Sequence, residues 1–289
     1  MVLGPVIIFT ARGFRYDFAE NRLIKTGALV VKTDPKDAMV FLNGKKINDT
    51  PFVKRFLLPG EYELEIKKDG YQTWKKRITI HEQQVAAFLG ANREQLTLFG
   101  NLPAGKTIGT STVDFFSSLD GIFYLKDRQV FESDFQGSQT KLATTTLQDI
   151  LDPKNFLNVD GANATSTLPE NLPNFPSSQV NYISGGNNDN FLAYGNEHEV
   201  WLYDKENQKN YLITRSSLVL SKAVYNAAAG YVFVAEENII KAIEYDPLGQ
   251  PNVYTFAETK NANPKFTVSS DGAQLVYLDG RDLISLKIR

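Results

Sequence analysis

The sequence contains no cysteine, two histidines and almost no net charge, and these shortages exclude several kinds of site. Without cysteine there is no disulfide, no thiol nucleophile and no cysteine-ligated zinc or iron–sulfur cluster. A net charge of −2 provides no basic excess, so a nucleic-acid partner is not expected. Dinucleotide, phosphate-loop, nucleophile-elbow and zinc-protease motifs are also missing. The sequence therefore predicts no cofactor, no metal site and no catalytic residue.

Long hydrophobic runs are missing as well. The most apolar stretch, residues 2–9, is far shorter than the ~20 residues that span a bilayer. It is either a buried first strand or the distal end of a membrane helix that begins before Met1. It has no charged region or cleavage site of a complete signal peptide. In residues 12–25, aromatic and charged side chains alternate, which favours an extended strand.

Aromatic residues make up 12% of the chain, and together with many Thr and Val residues they favour strands. The clearest example is residues 57–74, where Pro-Gly and Asp-Gly pairs mark turns on either side of a strand. Tyr62, Leu64 and Ile66 alternate there with charged residues, so one face is apolar. The predicted core residues of this unit are Tyr62, Leu64, Ile66 and Trp74.

Turn motifs follow one another in a fixed order between residues 26 and 80: Asp34-Pro35, Asn43-Gly44, Thr50-Pro51, Pro59-Gly60 and Asp69-Gly70. This order resembles the PEGA domain, a small β-sandwich found on bacterial and archaeal surface proteins. The resemblance implies that residues 26–82 form a structural or binding unit of the cell envelope, with no catalytic residues. Membrane-anchored members of that family are similar at the N-terminus, which favours residues 1–25 as a membrane-anchor remnant and connector.

A slow repeat occupies the rest of the chain. Four segments, beginning at residues 113, 180, 222 and 264, each contain a strand, a turn, an apolar strand, a turn and a further strand. The last three recur about every 42 residues, the spacing of propeller blades. Residues 264–287, with a turn at 269–272, resemble the repeat of Tol-type periplasmic propellers. We therefore predict a propeller-like domain over residues 93–289, with an insertion near 145–178 that begins with a short helix.

The predicted fold class is all-β: a small PEGA-like β-sandwich plus a small or incomplete β-propeller of four or five blades. A propeller joins its first and last blades, because open sheet edges promote aggregation. The strand-like residues 95–99 are predicted to close the ring by pairing with residues 283–288. Gln95 and Thr97 would then point outward, while Leu96 and Leu98 face a neighbouring layer.

Candidate chemical residues are sparse. His81 and His198 lie far apart in sequence, and a solvated His198 beside Glu197 and Glu199 is favoured over a Ser-His-Asp triad. Four carboxylates at predicted blade edges allow a pair for glycoside hydrolysis, without selecting one; they are Asp114, Asp120, Asp189 and Asp271. An oxygen-rich stretch resembles an incomplete calcium loop and is better explained as an ordinary loop; it contains Asn158, Asp160, Gly161 and Asn163. Trp201 and Tyr203 are expected to pack between blades rather than bind sugar.

The function predicted from these observations is a non-enzymatic, membrane-anchored cell-envelope or surface protein that uses its propeller-like domain for binding or scaffolding. Its expected location is extracytoplasmic, at a bacterial cell surface or in a periplasm. Its expected partners are an envelope component or another surface protein, and the membrane through an N-terminal anchor. Two alternatives remain: a propeller enzyme of glycoside hydrolase or lyase type, and a purely structural envelope spacer.

Overall fold

The computed structural model describes residues 13–17, 21–89, 95–102, 104–118, 121–144, 180–184, 190–246 and 251–289. Within these ranges the chain forms strands and turns and contains no helix, which confirms the predicted all-β class. In the same ranges, no helix is long and apolar enough to cross a membrane. The chain divides into two compact units, and the break between them falls after Phe99. The apolar residues 2–9 and the predicted insertion and helix between 145 and 178 lie outside the described residues.

In the part of the first unit that the structure describes, there are eleven short strands. They are β1 Phe14–Asp17, β2 Arg22–Lys25, β3 Gly27–Val31, β4 Thr33–Asp34, β5 Met39–Leu42, β6 Lys45–Asp49, β7 Phe52–Leu57, β8 Gly60–Lys67, β9 Trp74–Ile80, β10 Val85–Phe88 and β11 Leu96–Thr97. Strands β10, β3 and β7 form one sheet in that order, and β6, β5, β8 and β9 form a second. The pairs β1–β2 and β4–β11 complete the unit.

The core of the first unit follows from the alternation of apolar and charged residues along its strands. Leu64, Ile66 and Trp74 are completely buried, as predicted. Tyr62 is only partly buried, and its hydroxyl donates a hydrogen bond to the Leu58 carbonyl at 2.8 Å. The prediction is therefore confirmed for three residues, whereas Tyr62 lies at the margin of the core.

The second unit begins at Gly100, and its described residues form sixteen strands in four antiparallel sheets of four strands each. They are β12 Lys106–Gly109, β13 Thr112–Ser117, β14 Ile122–Lys126, β15 Gln129–Ser133, β16 Thr140–Leu142, β17 Tyr182–Ser184, β18 Phe191–Gly195, β19 Glu199–Asp204, β20 Lys209–Arg215, β21 Leu220–Asn226, β22 Tyr231–Glu236, β23 Ile239–Glu244, β24 Val253–Glu258, β25 Phe266–Val268, β26 Gln274–Asp279 and β27 Asp282–Lys287. We call each sheet a blade.

Three blades are simple meanders, namely β13–β16, β17–β20 and β21–β24 in chain order. The fourth blade has the order β12-β27-β26-β25, so the first strand of the unit completes the last sheet. Lys106 pairs with Ser285 and Thr107 with Ile284, and the Gly100 N–H donates to the Ile288 carbonyl at 2.9 Å. This is the closure by which propellers remove an open sheet edge.

The closing strand is not the one predicted. Residues 95–99 belong to the first unit, where Leu96 pairs with Thr33 in a parallel bridge and the Leu98 N–H donates to the Asp34 carbonyl. Leu96, Thr97 and Leu98 are all buried, so the expected outward position of Thr97 was also wrong. The physical reason is burial: the two leucines extend the sandwich core, whereas the more exposed β12 suits an outer strand.

Candidate functional site

The first strands of neighbouring blades approach one another and are joined by polar side chains. From the third blade, Lys222 Nζ donates to the Phe266 carbonyl at 2.7 Å, and Asn226 Nδ2 donates to the Ser269 carbonyl at 2.9 Å. From the fourth blade, Thr267 donates to Ser117 Oγ of the first blade at 2.9 Å, and Lys265 pairs with Asp114. We call these four contacts the inter-blade ties.

Among the four inter-blade ties, Lys265–Asp114 is the ion pair. Lys265 Nζ lies 2.8 Å from Asp114 Oδ1 and 4.3 Å from the centre of the Phe116 ring. Asp114 Oδ1 also accepts the Phe115 N–H at 2.8 Å. Asp114 therefore serves the contact between blades.

The two candidate carboxylates that the structure describes, Asp114 and Asp271, lie in different surroundings. Asp271 lies in the turn after β25, where it accepts the Ser269 hydroxyl at 2.5 Å and the Ala273 N–H at 2.9 Å. Asp114 instead pairs with Lys265, immediately before β25. The two carboxylates are thus associated with opposite ends of one strand. Asp120 and Asp189 lie outside the described residues, as do all members of the calcium-like stretch, residues 158–163.

Each histidine contributes to a turn through its backbone. The His81 carbonyl accepts the Gln84 N–H in the first unit. In the second unit the His198 N–H donates to Asn196 Oδ1 at 2.8 Å. His198 is exposed, which confirms the expectation of a solvated side chain. In the part of the chain that the structure describes, no hydrogen bond joins its imidazole to Ser and Asp partners, and no group of three or more His, Asp or Glu residues is arranged to hold a metal.

The surroundings of His198 are organised by Glu199. Trp201 Nε1 donates to Glu199 Oε2 at 3.0 Å, and Arg215 Nε donates to Oε1 at 2.7 Å. The hydrogen bond from Trp201, followed by that from Arg215, lowers the pKa of Glu199 below its ordinary value. Trp201 is half-buried and Tyr203 is buried, in an apolar cluster whose members all belong to the second blade, so the cluster is internal to one blade and does not confirm the predicted packing between blades.

A polar cavity of about 260 Å³ lies at one end of the first blade. It is lined by Ser118, Gly121, Glu132, Ser133, Asp134, Gln139, Thr140 and Lys141. Ser133 Oγ lies 3.0 Å from Thr140 Oγ1, Ser118 Oγ bonds to the turn backbone, and Glu132 pairs with Lys141 at 3.3 Å. The partner of the Ser133 hydroxyl is another hydroxyl, and the partner of the Ser118 hydroxyl is the backbone. In these contacts neither serine is paired with a general base. The lining can hydrogen-bond a small polar molecule.

Sequence reasoning missed an exposed apolar surface on the sheet β10-β3-β7. The outer side of this sheet carries five aliphatic side chains, which we call the aliphatic face: Ala28, Val30, Val53, Val85 and Ala87. Val53 is 55% exposed and Val85 is 61% exposed. A signal for this surface was present in the composition of β3 and β10. Both strands are apolar at successive positions, which places apolar side chains on the outer side of the sheet as well as in the core.

Within the residues that the structure describes, the fold and these sites define an all-β protein with a sandwich unit and a second unit of four blades, the last of which is completed by β12. Residues 26–92 match the family model described as "PEGA domain", which confirms the resemblance noted for that stretch. PEGA domains are typical of extracellular or periplasmic proteins. Comparison with curated proteins gave no significant match to the chain.

Several solved structures are similar to the chain at low sequence identity. Hsv2 of Kluyvelomyces marxianus is 7% identical, with a TM-score of 0.25, and the match covers 61% of this chain and 51% of Hsv2. The Dos1 propeller is 11% identical, with a TM-score of 0.30, and covers 80% and 52%. The tricorn protease is 15% identical, with a TM-score of 0.29, and covers 84% and 22%. The chain thus spans about half of the first two structures and about a fifth of the third.

Proposed function

We propose that this chain is a non-enzymatic cell-envelope protein, displayed outside the cytoplasm, whose second unit is a rigid surface for binding or scaffolding. The observation that carries the proposal is the Lys265–Asp114 pair. In this pair, Asp114, a candidate carboxylate for catalysis, instead holds two blades together. The remaining inter-blade ties use polar side chains in the same way. A ring closed by β12 and braced by such contacts presents its loops on a fixed frame.

The PEGA domain match supports the location. An extracellular or periplasmic placement is the ordinary setting of this domain, and the absence of cysteine is compatible with it. We further propose that the protein is held to the membrane near its N-terminus, and that its partner is an envelope component or another surface protein. These finer statements rest on the resemblance of the N-terminal region to membrane-anchored PEGA proteins.

Location is tested by protease treatment of intact cells and of cells whose outer layers have been removed. The full chain, detected with an antibody, should be digested without lysis of the cytoplasm and should sediment with membranes until detergent is added. A protease-protected protein in the cytoplasmic fraction would refute the proposed location. Release by carbonate without detergent would refute the anchor alone.

The non-enzymatic assignment is tested with the purified full chain on panels of glycans and peptides, with and without a chelator. We expect no turnover above the buffer rate under either condition. Asp114→Asn is the informative variant and Asp271→Asn is its matched control in a turn. Turnover that disappears in Asp114→Asn and persists in the control would show that this carboxylate is catalytic.

A further inference from the structure

The aliphatic face has no acidic side chain and is bordered by cations. Outward-facing residues alternate with buried ones along β3, so Lys32 follows Ala28 and Val30 on the same side. Val53 lies opposite Val30 on the neighbouring strand. An apolar centre with a charged border is the usual composition of a protein-binding surface.

Two lysines mark the two ends of β10. Lys25 Nζ donates to Gln83 Oε1 at 3.3 Å, just before the strand begins. The backbone N–H of Lys32 donates to the Phe88 carbonyl at 3.1 Å, where the strand ends. The two lysines therefore place positive charges near the two ends of β10, about one strand length apart. This charge pattern favours a bound segment with an acidic residue at each end.

The backbone of β10 supplies a second, independent feature. The Ala28 N–H donates to the Gln84 carbonyl, and the Lys32 N–H donates to the Phe88 carbonyl. The even-numbered residues of the segment 84–88 therefore hydrogen-bond to β3 through their backbone. The N–H and C=O groups of Val85 and Ala87 consequently point away from β3, at the edge of the sheet. An edge of this kind accepts an added strand through main-chain hydrogen bonds.

We propose that β10 and the aliphatic face bind an extended segment of a partner protein, with alternating aliphatic residues and an acidic residue at each end. The segment adds as a strand beside Val85 and Ala87. Its aliphatic side chains extend the apolar surface formed by Val53, Val30 and Ala87, while its acidic ends lie near Lys25 and Lys32. This assignment does not depend on the role proposed for the second unit.

The test uses the full chain and two synthetic peptides of alternating valine and threonine. One peptide ends in aspartate on both sides and the other in lysine. Binding is followed by fluorescence anisotropy of the labelled peptides. The aspartate peptide should bind at least about tenfold more tightly than the lysine peptide, and added salt should reduce the difference. Lys25→Gln combined with Lys32→Gln should remove most of that preference.

The backbone contribution is tested at Ala87. Ala87→Pro removes an N–H that points away from β3, and proline is tolerated on edge strands, so the fold should persist. The substitution should weaken binding of the aspartate peptide by about tenfold. Ala87→Ser keeps the N–H and should bind like the native chain. If the proline variant melts at a lower temperature, Val85→Asp provides a second test, because it keeps the whole backbone and should also weaken binding by removing apolar surface and repelling the acidic peptide.

Three results would overturn the proposal. The first is no binding of the aspartate peptide at about 1 mM. The second is equal binding of both peptides, or unchanged binding in Ala87→Pro and Val85→Asp. The third is a concentration-dependent dimer, detected by light scattering, that Val85→Asp dissociates, because the face would then be occupied by a second copy of the chain.

Discussion

Lys265 Nζ lies 2.8 Å from Asp114 Oδ1, although 151 residues separate the two in sequence. The contact joins the last blade to the first, on the same boundary as the hydrogen bond between Thr267 and Ser117. The ring is thus fastened twice, once by the backbone pairing of β12 with β27 and once by side chains between the first strands.

We predict that the two residues of this pair are energetically coupled. In a double-mutant cycle with Asp114→Asn and Lys265→Met, the coupling free energy should be about 0.5–1 kcal/mol. The value is modest because the side chains are 41% and 31% exposed and water screens the pair. Urea unfolding of the full chain, followed by Trp201 fluorescence in a Trp74→Phe background, measures it. A coupling that is unchanged at high salt would contradict an ionic origin.

The sandwich core makes a larger contribution per residue. Leu64 is completely buried, so Leu64→Ala should lower the free energy of unfolding by about 2–5 kcal/mol, through lost burial and the cavity left behind. Trp74 lies in the same core, and its fluorescence in a Trp201→Phe background reports on this unit. The control is Glu61→Ala at an exposed position of the same strand. Equal effects of the two substitutions would show that the assignment of faces on β8 is wrong.

Closure by β12 can be tested at a glycine that packs against it. Gly137 has a φ of +65°, and an added Cβ would overlap the Ile108 side chain on β12. Gly280 has a φ of +66°, but its nearest neighbour would be the flexible Lys260 Cδ at 3.7 Å. Gly280→Ala should therefore show only the penalty of the left-handed backbone, about 1–2 kcal/mol.

Gly137→Ala should be destabilising by about 1–3 kcal/mol more than Gly280→Ala, because the new methyl group overpacks the closing strand. Hydrogen exchange at β12 and β27 should also become faster in the first variant only. If the two alanine variants unfold at the same urea concentration with the same exchange rates, β12 does not contribute to ring stability.

Acid should weaken the second unit through Glu236. Glu236 Oε2 lies 2.6 Å from Lys241 Nζ, and the two side chains are 12% and 15% exposed. Burial raises the pKa of Glu236, but hydrogen bonds from Lys241 and Ser216 outweigh it, so the pKa is lowered from 4.5. A carboxyl with a lower pKa in the folded state stabilises the fold above its unfolded pKa. That contribution is lost as the pH falls through the folded value.

Glu236→Gln should accordingly flatten the fall in the free energy of unfolding between about pH 6 and pH 3. Urea unfolding at several pH values, read from Trp201, provides the measurement. The charge-matched control is Glu237→Gln, at the exposed neighbouring position. Identical pH profiles for the Glu236→Gln variant and the native chain would exclude a role for this pair in acid stability.

Local features of the structure were predictable from sequence. Asn43-Gly44 forms the expected hairpin turn, with positive φ values of 50° and 76°, because these residues tolerate that backbone better than others. The burial of Leu64 and Ile66 followed from strict alternation. The four repeats likewise correspond to the first three strands of the four blades, since each hairpin uses short-range pairing.

Long-range features were not predictable. Residues 95–99 and β12 are both short strand-like segments near the start of the second unit, and periodicity does not tell which of them pairs with β27. The choice depends on what each segment buries. Leu96 and Leu98 gain more by completing the sandwich core, while Lys106 remains exposed at the ring edge.

The same distinction applies to the candidate sites. Asp114 was one of four equivalent carboxylates in the sequence, and only the approach of β25 gives it Lys265 as a partner. The aliphatic face was not predicted, because apolar positions of a strand are expected to be buried. The exposure of Val53 and Val85 is visible only in the folded structure. Alternation along a strand indicates which of its side chains avoid water. The segment that packs against them depends on contacts between parts of the chain that are far apart in sequence.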